Sequence, residues 1–238
     1  MENLSDNTHT SLDEIRENYL RICENISNAS ASTGRKDEPR IMAVTKTVSP
    51  ERINYAIGLG IDLLGENRVQ EYMDKRESYS PAEVHFIGSL QTNKVKYIID
   101  KVSMIHSVDT LRLADEINRR AEQHGLVMDI LTEINIGEEE TKSGISARNA
   151  VDFCGEIAEL KNVRLRGLMC IPPPGCPESV FASMQELFEN LKSNFRNKDN
   201  IQFDTLSMGM SGDYQAASKF GATIVRIGSA LFGRRKYQ

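Results

Sequence analysis

Lys46 stands directly behind four apolar residues, in the run Ile41-Met42-Ala43-Val44-Thr45-Lys46-Thr47. A lysine at the end of a buried strand has two readings. Burial disfavours the ammonium form, so the amine becomes a nucleophile able to form a Schiff base with a carbonyl. Alternatively the long stem carries its charge out to solvent. Two small-residue turns lie near the other end of the chain, Ser207-Met208-Gly209-Met210-Ser211-Gly212-Asp213 and Arg226-Ile227-Gly228-Ser229-Ala230. Bare amides at the start of a helix, with hydroxyls beside them, suit a phosphate dianion. The same residues also serve in ordinary turns.

Residues so far apart in sequence meet only if the fold brings them to one rim. Eight short runs rich in β-branched or apolar residues recur: 41–44, 61–64, 84–87, 103–106, 128–134, 163–169, 205–208 and 223–227. Amphipathic stripes lie between them. Ala147, Ala150, Val151, Cys154, Ile157 and Ala158 form one, and Phe181, Met184, Phe188, Leu191 and Phe195 another. Ser146 is placed as an N-cap, and Gly125 and Gly221 where helices stop. Strand and helix alternating eight times predict a closed (β/α)8 barrel as a single domain. A stripe of Leu12, Ile15, Tyr19, Ile22 and Ile26 predicts an extra helix over about 10–27, able to cap the barrel's bottom. Residues 27–37 read as a polar linker, and the barrel runs from about 40 to the end of the 238 residues. An open doubly wound sheet is the rival, but it normally carries a Gly-rich turn after its first strand. No GxGxxG or GxxxxGK motif follows a strand here.

Composition narrows the function classes. Twenty-nine lysines and arginines against 34 acidic residues leave a net charge of −5, the wrong sign for a protein that neutralises nucleic-acid phosphates. Cys23, Cys154, Cys170 and Cys176 form no CxxC pair, and the four histidines form no HExxH, so no metal site is expected. The first residues lack a signal-peptide pattern and no apolar run reaches about 18 residues, so the expected address is cytoplasmic, away from membranes.

An imine-forming lysine beside a phosphate pocket suits two ligands. One is a phosphorylated sugar, as in lysine-dependent aldolases; the other is pyridoxal 5′-phosphate, which carries aldehyde and phosphate together. Arg226 bears on the choice. A permanently charged guanidinium beside a pyridine nitrogen keeps it unprotonated and weakens the ring as an electron sink, although a second phosphate contact is also open to Arg226.

Several segments together resemble the pyridoxal phosphate homeostasis proteins of the YggS/PROSC type. They are Ala43 to Thr47, Gly65-Glu66-Asn67-Arg68-Val69-Gln70-Glu71, His85 to Lys94, Lys142-Ser143-Gly144, Arg166-Gly167-Leu168-Met169, Leu206 to Ser211 and Arg226-Ile227-Gly228. The resemblance implies a fold similar to the N-terminal barrel of alanine racemase, with pyridoxal phosphate held on Lys46. By position it makes Asn67 a cofactor contact, Ser207, Gly228 and Ser229 phosphate ligands, and Arg226 the partner of the pyridine nitrogen. His85, Asn93 and Lys142 fall in family motifs but have plain readings: a wall histidine, a helix-start cap and a solvated loop lysine. Several members of that family carry a further lysine two positions after the first, where this chain has Val48. A transfer of cofactor between neighbouring lysines is therefore in doubt. The segment from Met169 to Cys176 reads as a stiff loop, with no disulfide between Cys170 and Cys176 expected.

Racemisation needs acid/base groups on both faces of the bound substrate. Racemases of this fold are similar in taking the second, a tyrosine, from a further domain of the partner subunit, for which this chain has no counterpart after its eighth strand. The expectation is therefore no catalytic residue: a binder that buffers pyridoxal phosphate, with apo-enzymes as candidate recipients, as a monomer or weak dimer. A weak amino-acid racemase or transaminase is the alternative.

Overall fold

The computed structural model describes residues 10–137 and 143–234, so Lys142 lies outside the described residues. Eight parallel strands close into a barrel in the order β1 to β8, with β1 pairing β8. They are β1 Arg40–Val44, β2 Leu63–Glu66, β3 Glu83–Phe86, β4 Met104–Val108, β5 Met128–Ile134, β6 Val163–Cys170, β7 Ile201–Met210 and β8 Ile224–Ile227. The predicted (β/α)8 class is what the chain forms.

Helices follow the strands as covering elements: α2 Pro50–Gly58, α3 Val69–Lys75, α4 Val95–Ile98, α5 Leu111–Gln123, α6 Ala150–Ile157, α7 Ser179–Asn194, α8 Tyr214–Lys219 and α9 Ser229–Phe232, preceded by α1 Leu12–Ser32. Outward strand residues such as Ala43, Leu64, Phe86, Ile105, Ile130, Leu168, Leu206 and Val225 pack under the helices in the main core. Inward residues form two small clusters, Met42 with Leu63, Ile87 and Ile224, and Met104 with Leu131 and Met169. This two-sided burial is why the strands read as continuous apolar runs rather than alternating ones.

Several boundaries differ from expectation. The α1 helix continues through residues 27–32, where a polar linker was expected, because Ala29 and Ser30 are buried on the same face as Ile15, Ile22 and Ile26. Its start is a capping box between Ser11 and Glu14. Nor does α1 lie as a cap beneath the barrel: it packs along α2, α8 and α9, with Asn18 donating to the Leu231 carbonyl and Asn25 to the Tyr214 hydroxyl. The second strand starts at Leu63 rather than Ile61, because Gly60 at φ +110 closes α2 and the Ile61 amide turns back to Ala56. The seventh begins four residues early, at Ile201, where Ile201 and Phe203 are buried and Gln202 and Asp204 exposed. The stripe beginning at Ala147 opens as a 3-10 turn, Ala147–Asn149, before α6. Gly125 and Gly221 terminate α5 and α8 at positive φ as expected.

In β6 the register to both neighbours shifts around Arg166-Gly167. A Cβ on Gly167 would lie 2.0 Å from the Thr205 carbonyl oxygen, so only glycine lets β7 approach there. The shift releases Arg166 to brace its neighbours, donating to Asp204 on β7 at 2.6–3.0 Å and to Asp129 on β5. None of Cys23, Cys154, Cys170 and Cys176 is joined in a disulfide in the structure. Among the described residues no helix is long and apolar enough to cross a membrane.

Candidate functional site at the barrel mouth

The β1–α2 turn carries Lys46, half-buried, and its backbone is gripped from behind. Thr47 adopts φ +63, a left-handed conformation that a β-branched residue rarely takes. The Thr47 amide donates to the Glu71 carboxylate, and the buried Lys75 ammonium donates to the carbonyls of Val48 at 2.9 Å and Thr45 at 3.4 Å, while also pairing with Glu71. The Thr45 and Tyr79 hydroxyls both donate to Glu66 at 2.6 Å. Burial raises the Glu66 carboxyl above its ordinary range, with those two donors and Lys75 pulling it back. Three residues of the Gly65-to-Lys75 segment thus shape the loop that presents Lys46. Sequence reading assigned only Asn67 there; Glu71 and Lys75 stand at i, i+4, a spacing common on exposed helix faces.

Asn67 follows β2 immediately, and its Oδ1 is buried without a hydrogen-bond partner in the structure. Gly88, after β3, packs so closely that an added Cβ would fall 2.1 Å from the Asn67 carbonyl oxygen. An acceptor held rigidly at the strand ends with nothing donating to it fits a bound polar ligand.

On the far side, the Ser211 hydroxyl accepts from the Gly228 amide at 3.2 Å and the Ala230 amide at 3.1 Å. Two amides therefore converge on one oxygen, the geometry an anion's oxygen requires. The Met210 amide is held by Asp213. Gly228 and Ser229 lie at this turn as expected, but Ser207 does not. Strand alternation points Leu206 and Met208 outward and Ser207 into the barrel, four residues below the loop. Ser211, quoted in the loop but given no role of its own from the sequence, is the hydroxyl at this turn.

Ser207 instead meets Arg226. The guanidinium is fully enclosed and donates to the Ser207 Oγ at 2.7 Å, the Ser207 carbonyl at 2.8 Å and the Cys170 carbonyl at 2.7 Å. Burial lowers its pKa from the ordinary arginine value, opposed by nearby acids. Beyond Ser207, its Oγ lies 3.1 Å from His106 Nδ1, His106 Nε2 lies 2.9 Å from His85 Nδ1, and His85 Nε2 lies 2.8 Å from Glu83 Oε1. Glu83 is held charged, down to about 2, first by His85 and then by Arg40. Complete burial pushes His106 well below the usual imidazole range, keeping the ring neutral. His85 is therefore an interior residue, hydrogen-bonded on both sides, and not a rim group.

Glu133 went unnoticed in the sequence. It lies two residues along β5 from the inward Leu131, and burial raises its carboxyl to about 7, with Asp109 adding to the shift and Arg226 opposing it. Asn93 falls in the 3-10 turn Thr92–Lys94 and makes no cap; it borders an outer cleft with Arg112, Asp115, Glu116 and Arg119. Among the described residues no cluster of three metal-ligating side chains occurs.

Residues 11–236 match the family described as alanine racemase, N-terminal domain. The pyridoxal phosphate homeostasis protein of Aquifex aeolicus is 43% identical over 228 residues, covering 93% of this chain and 98% of that one. The structure of PipY from Synechococcus elongatus with pyridoxal phosphate bound superposes with a TM-score of 0.78 at 27% identity, covering 92% of this chain and all of the other. Alanine racemase from Clostridium difficile shares the fold at a TM-score of 0.71 and 16% identity, with 58% of its length covered. A lysine loop shaped from behind, an amide pair and a buried arginine at one barrel end thus coincide with likeness along nearly the whole sequence, and this chain belongs to the pyridoxal phosphate homeostasis protein family.

Proposed function

We propose that the chain binds pyridoxal 5′-phosphate reversibly as a Schiff base on Lys46 and serves in homeostasis and carriage of the cofactor, without robust catalysis. When bound, the cofactor supplies an aldehyde, a pyridine nitrogen and a phosphate dianion. Lys46 takes the aldehyde. Asn67 brings a buried acceptor without a donor to a polar group of the ring. The Gly228 and Ser229 turn, with Ser211, receives the phosphate; the amides gain a charged acceptor in place of a neutral hydroxyl. Arg226 faces the pyridine nitrogen, and Ser207 acts through Arg226 rather than on the phosphate. A donor-only guanidinium leaves that nitrogen unprotonated, which disfavours carbanion chemistry.

The observation that carries this reading is the buried Arg226, fixed by three acceptors at the end of the barrel that also holds Lys46. The pyridoxal phosphate held by PipY, and the names of the curated relatives, support the cofactor. Borohydride reduction of protein mixed with pyridoxal phosphate, followed by peptide mapping, tests it. A pyridoxyl adduct on the Lys46 peptide, absent from Lys46→Ala, is expected; an adduct elsewhere, or none, overturns it.

One observation favours a second reading. Glu133, with a carboxyl raised to about 7, is able to exchange a proton near neutrality beside Arg226, as a weak racemase or transaminase needs. Turnover of an amino acid above that of free pyridoxal phosphate, lost in both Lys46→Ala and Glu133→Gln, would establish it.

A further inference from the structure

The barrel interior holds one continuous polar path through otherwise apolar packing. It starts at Glu83, at the beginning of β3, and passes through His85, His106 on β4 and Ser207 on β7 to Arg226 on β8. From β4 to β7 it crosses the lumen rather than following the wall. The binding reading uses only the last two residues; two buried histidines and a carboxylate are left without a role.

The two ends of this path are chemically unlike. Glu83 is a carboxylate, kept ionised by the hydrogen bond from His85 and by Arg40 at 2.9 Å, and only accepts. Arg226 only donates. With one proton on each ring, these ends admit one arrangement. His85 donates from Nε2 to Glu83, so its Nδ1 accepts. His106 then donates from Nε2 to His85, and its Nδ1 accepts from the Ser207 hydroxyl. Ser207 in turn offers its lone pair to Arg226. Reversing the path requires one more proton, with His85 as an imidazolium. The titratable and charged groups facing the path are Glu83 on β3, Arg40 on β1, which also pairs with Asp62 before β2, and Arg226 on β8, with Cys170 on β6, Glu133 on β5 and Asp213 after β7 acting on Arg226.

We propose that Glu83, His85, His106 and Ser207 form a one-way hydrogen-bonded chain that fixes how Arg226 is presented at the mouth, making both histidines positioning residues for the guanidinium. A carboxylate at the barrel floor thereby sets the donor facing the ligand. The chain rests on hydrogen bonds of the protein alone; its consequence for pyridoxal phosphate rests on the binding reading.

Two-bond proton–nitrogen NMR spectra of ring-15N-histidine protein without added ligand test the direction, with His9→Gln and His124→Gln used for assignment. Both buried rings are expected as Nε2–H tautomers with bare Nδ1. In Glu83→Gln, whose amide both donates and accepts, the single tautomer at His106 is lost although the substitution does not touch that ring. A proton on Nδ1 of either ring in the parent protein, or an unchanged His106 pattern in a folded Glu83→Gln, overturns the proposal. The parent spectrum decides the direction even where the variant does not fold. Added pyridoxal phosphate then tests the reach of the chain: Glu83→Gln shifts the pH at which the bound chromophore changes colour. Altered rings with an unshifted titration overturn the link to Arg226. No chromophore in either protein overturns the binding reading, and the ring spectra still judge the chain.

Discussion

The Lys75 ammonium donates to the carbonyl oxygen of Val48 at 2.9 Å, across the back of the turn that carries Lys46. Only 4% of the Lys75 side chain is exposed, and Glu71, at 10%, balances its charge. A buried ion pair of this kind is a weak source of net stability when intact, but breaking one partner leaves the other uncompensated. Lys75→Met strands the Glu71 carboxylate and two carbonyls at once. It is expected to cost about 3–5 kcal/mol in urea unfolding, and to slow imine formation at Lys46 in the folded fraction. An unchanged midpoint would show that the carbonyls find water instead.

Ser207→Ala removes the Oγ that Arg226 and His106 share while leaving the backbone carbonyl in place. One hydrogen bond to a charged group is worth about 1.5–3 kcal/mol. Loss of that order is expected in unfolding experiments, together with weaker retention of pyridoxal phosphate by a comparable factor in equilibrium dialysis. Stability lost with the dissociation constant unchanged would confine Ser207 to the core.

Glu133 gives a pH dependence of defined sign. Its folded pKa, about 7, lies above its ordinary value of 4.5, so the folded chain holds the proton more tightly than the unfolded one. The contribution is complete below pH 4.5, declines as pH rises towards 7 and is absent above it. Glu133→Gln should flatten that decline, by up to about 3 kcal/mol. Parallel stability curves for the two proteins between pH 5 and about 8 would place the carboxylate in better contact with water than its burial indicates.

Gly209→Ala tests the β7 turn by sterics alone. Gly209 sits at φ +90, and an added Cβ would meet the Ala217 Cβ at 2.5 Å. Strain and overlap together are expected to cost about 2–4 kcal/mol, read as a lower melting temperature. A melting temperature within a degree or so of the parent's would mean that α8 moves aside freely.

The alternation of apolar runs and helical stripes carried the fold class, because burial on both faces of a parallel sheet leaves a period that survives in one dimension. Strand ends were less legible. Ile61 is as apolar as any strand residue, yet it closes a helix, and its role depends on Gly60 rather than on itself. At the site, Lys46, Gly228 and Ser229 stood where barrel geometry puts functional groups, so their positions could be read. Ser207 was given a phosphate role by the family resemblance, and only the alternation of β7 shows that its hydroxyl meets Arg226 and His106 inside the barrel. Glu83 and His85 stand two apart on β3, but no local pattern ties them to His106. What joins them to Ser207 is the width of the lumen, and no spacing in the sequence encodes a contact made across a closed sheet.

The left-handed Thr47 has a kinetic consequence. Its conformation is enforced by Glu71, Lys75 and Glu66 from within the protein, so the segment bearing Lys46 is already in shape when a ligand arrives. Little entropy remains to be surrendered on docking. On the proposed binding reading, uptake and discharge at Lys46 proceed at the pace of diffusion and of carbon–nitrogen bond exchange, without waiting for the polypeptide to rearrange.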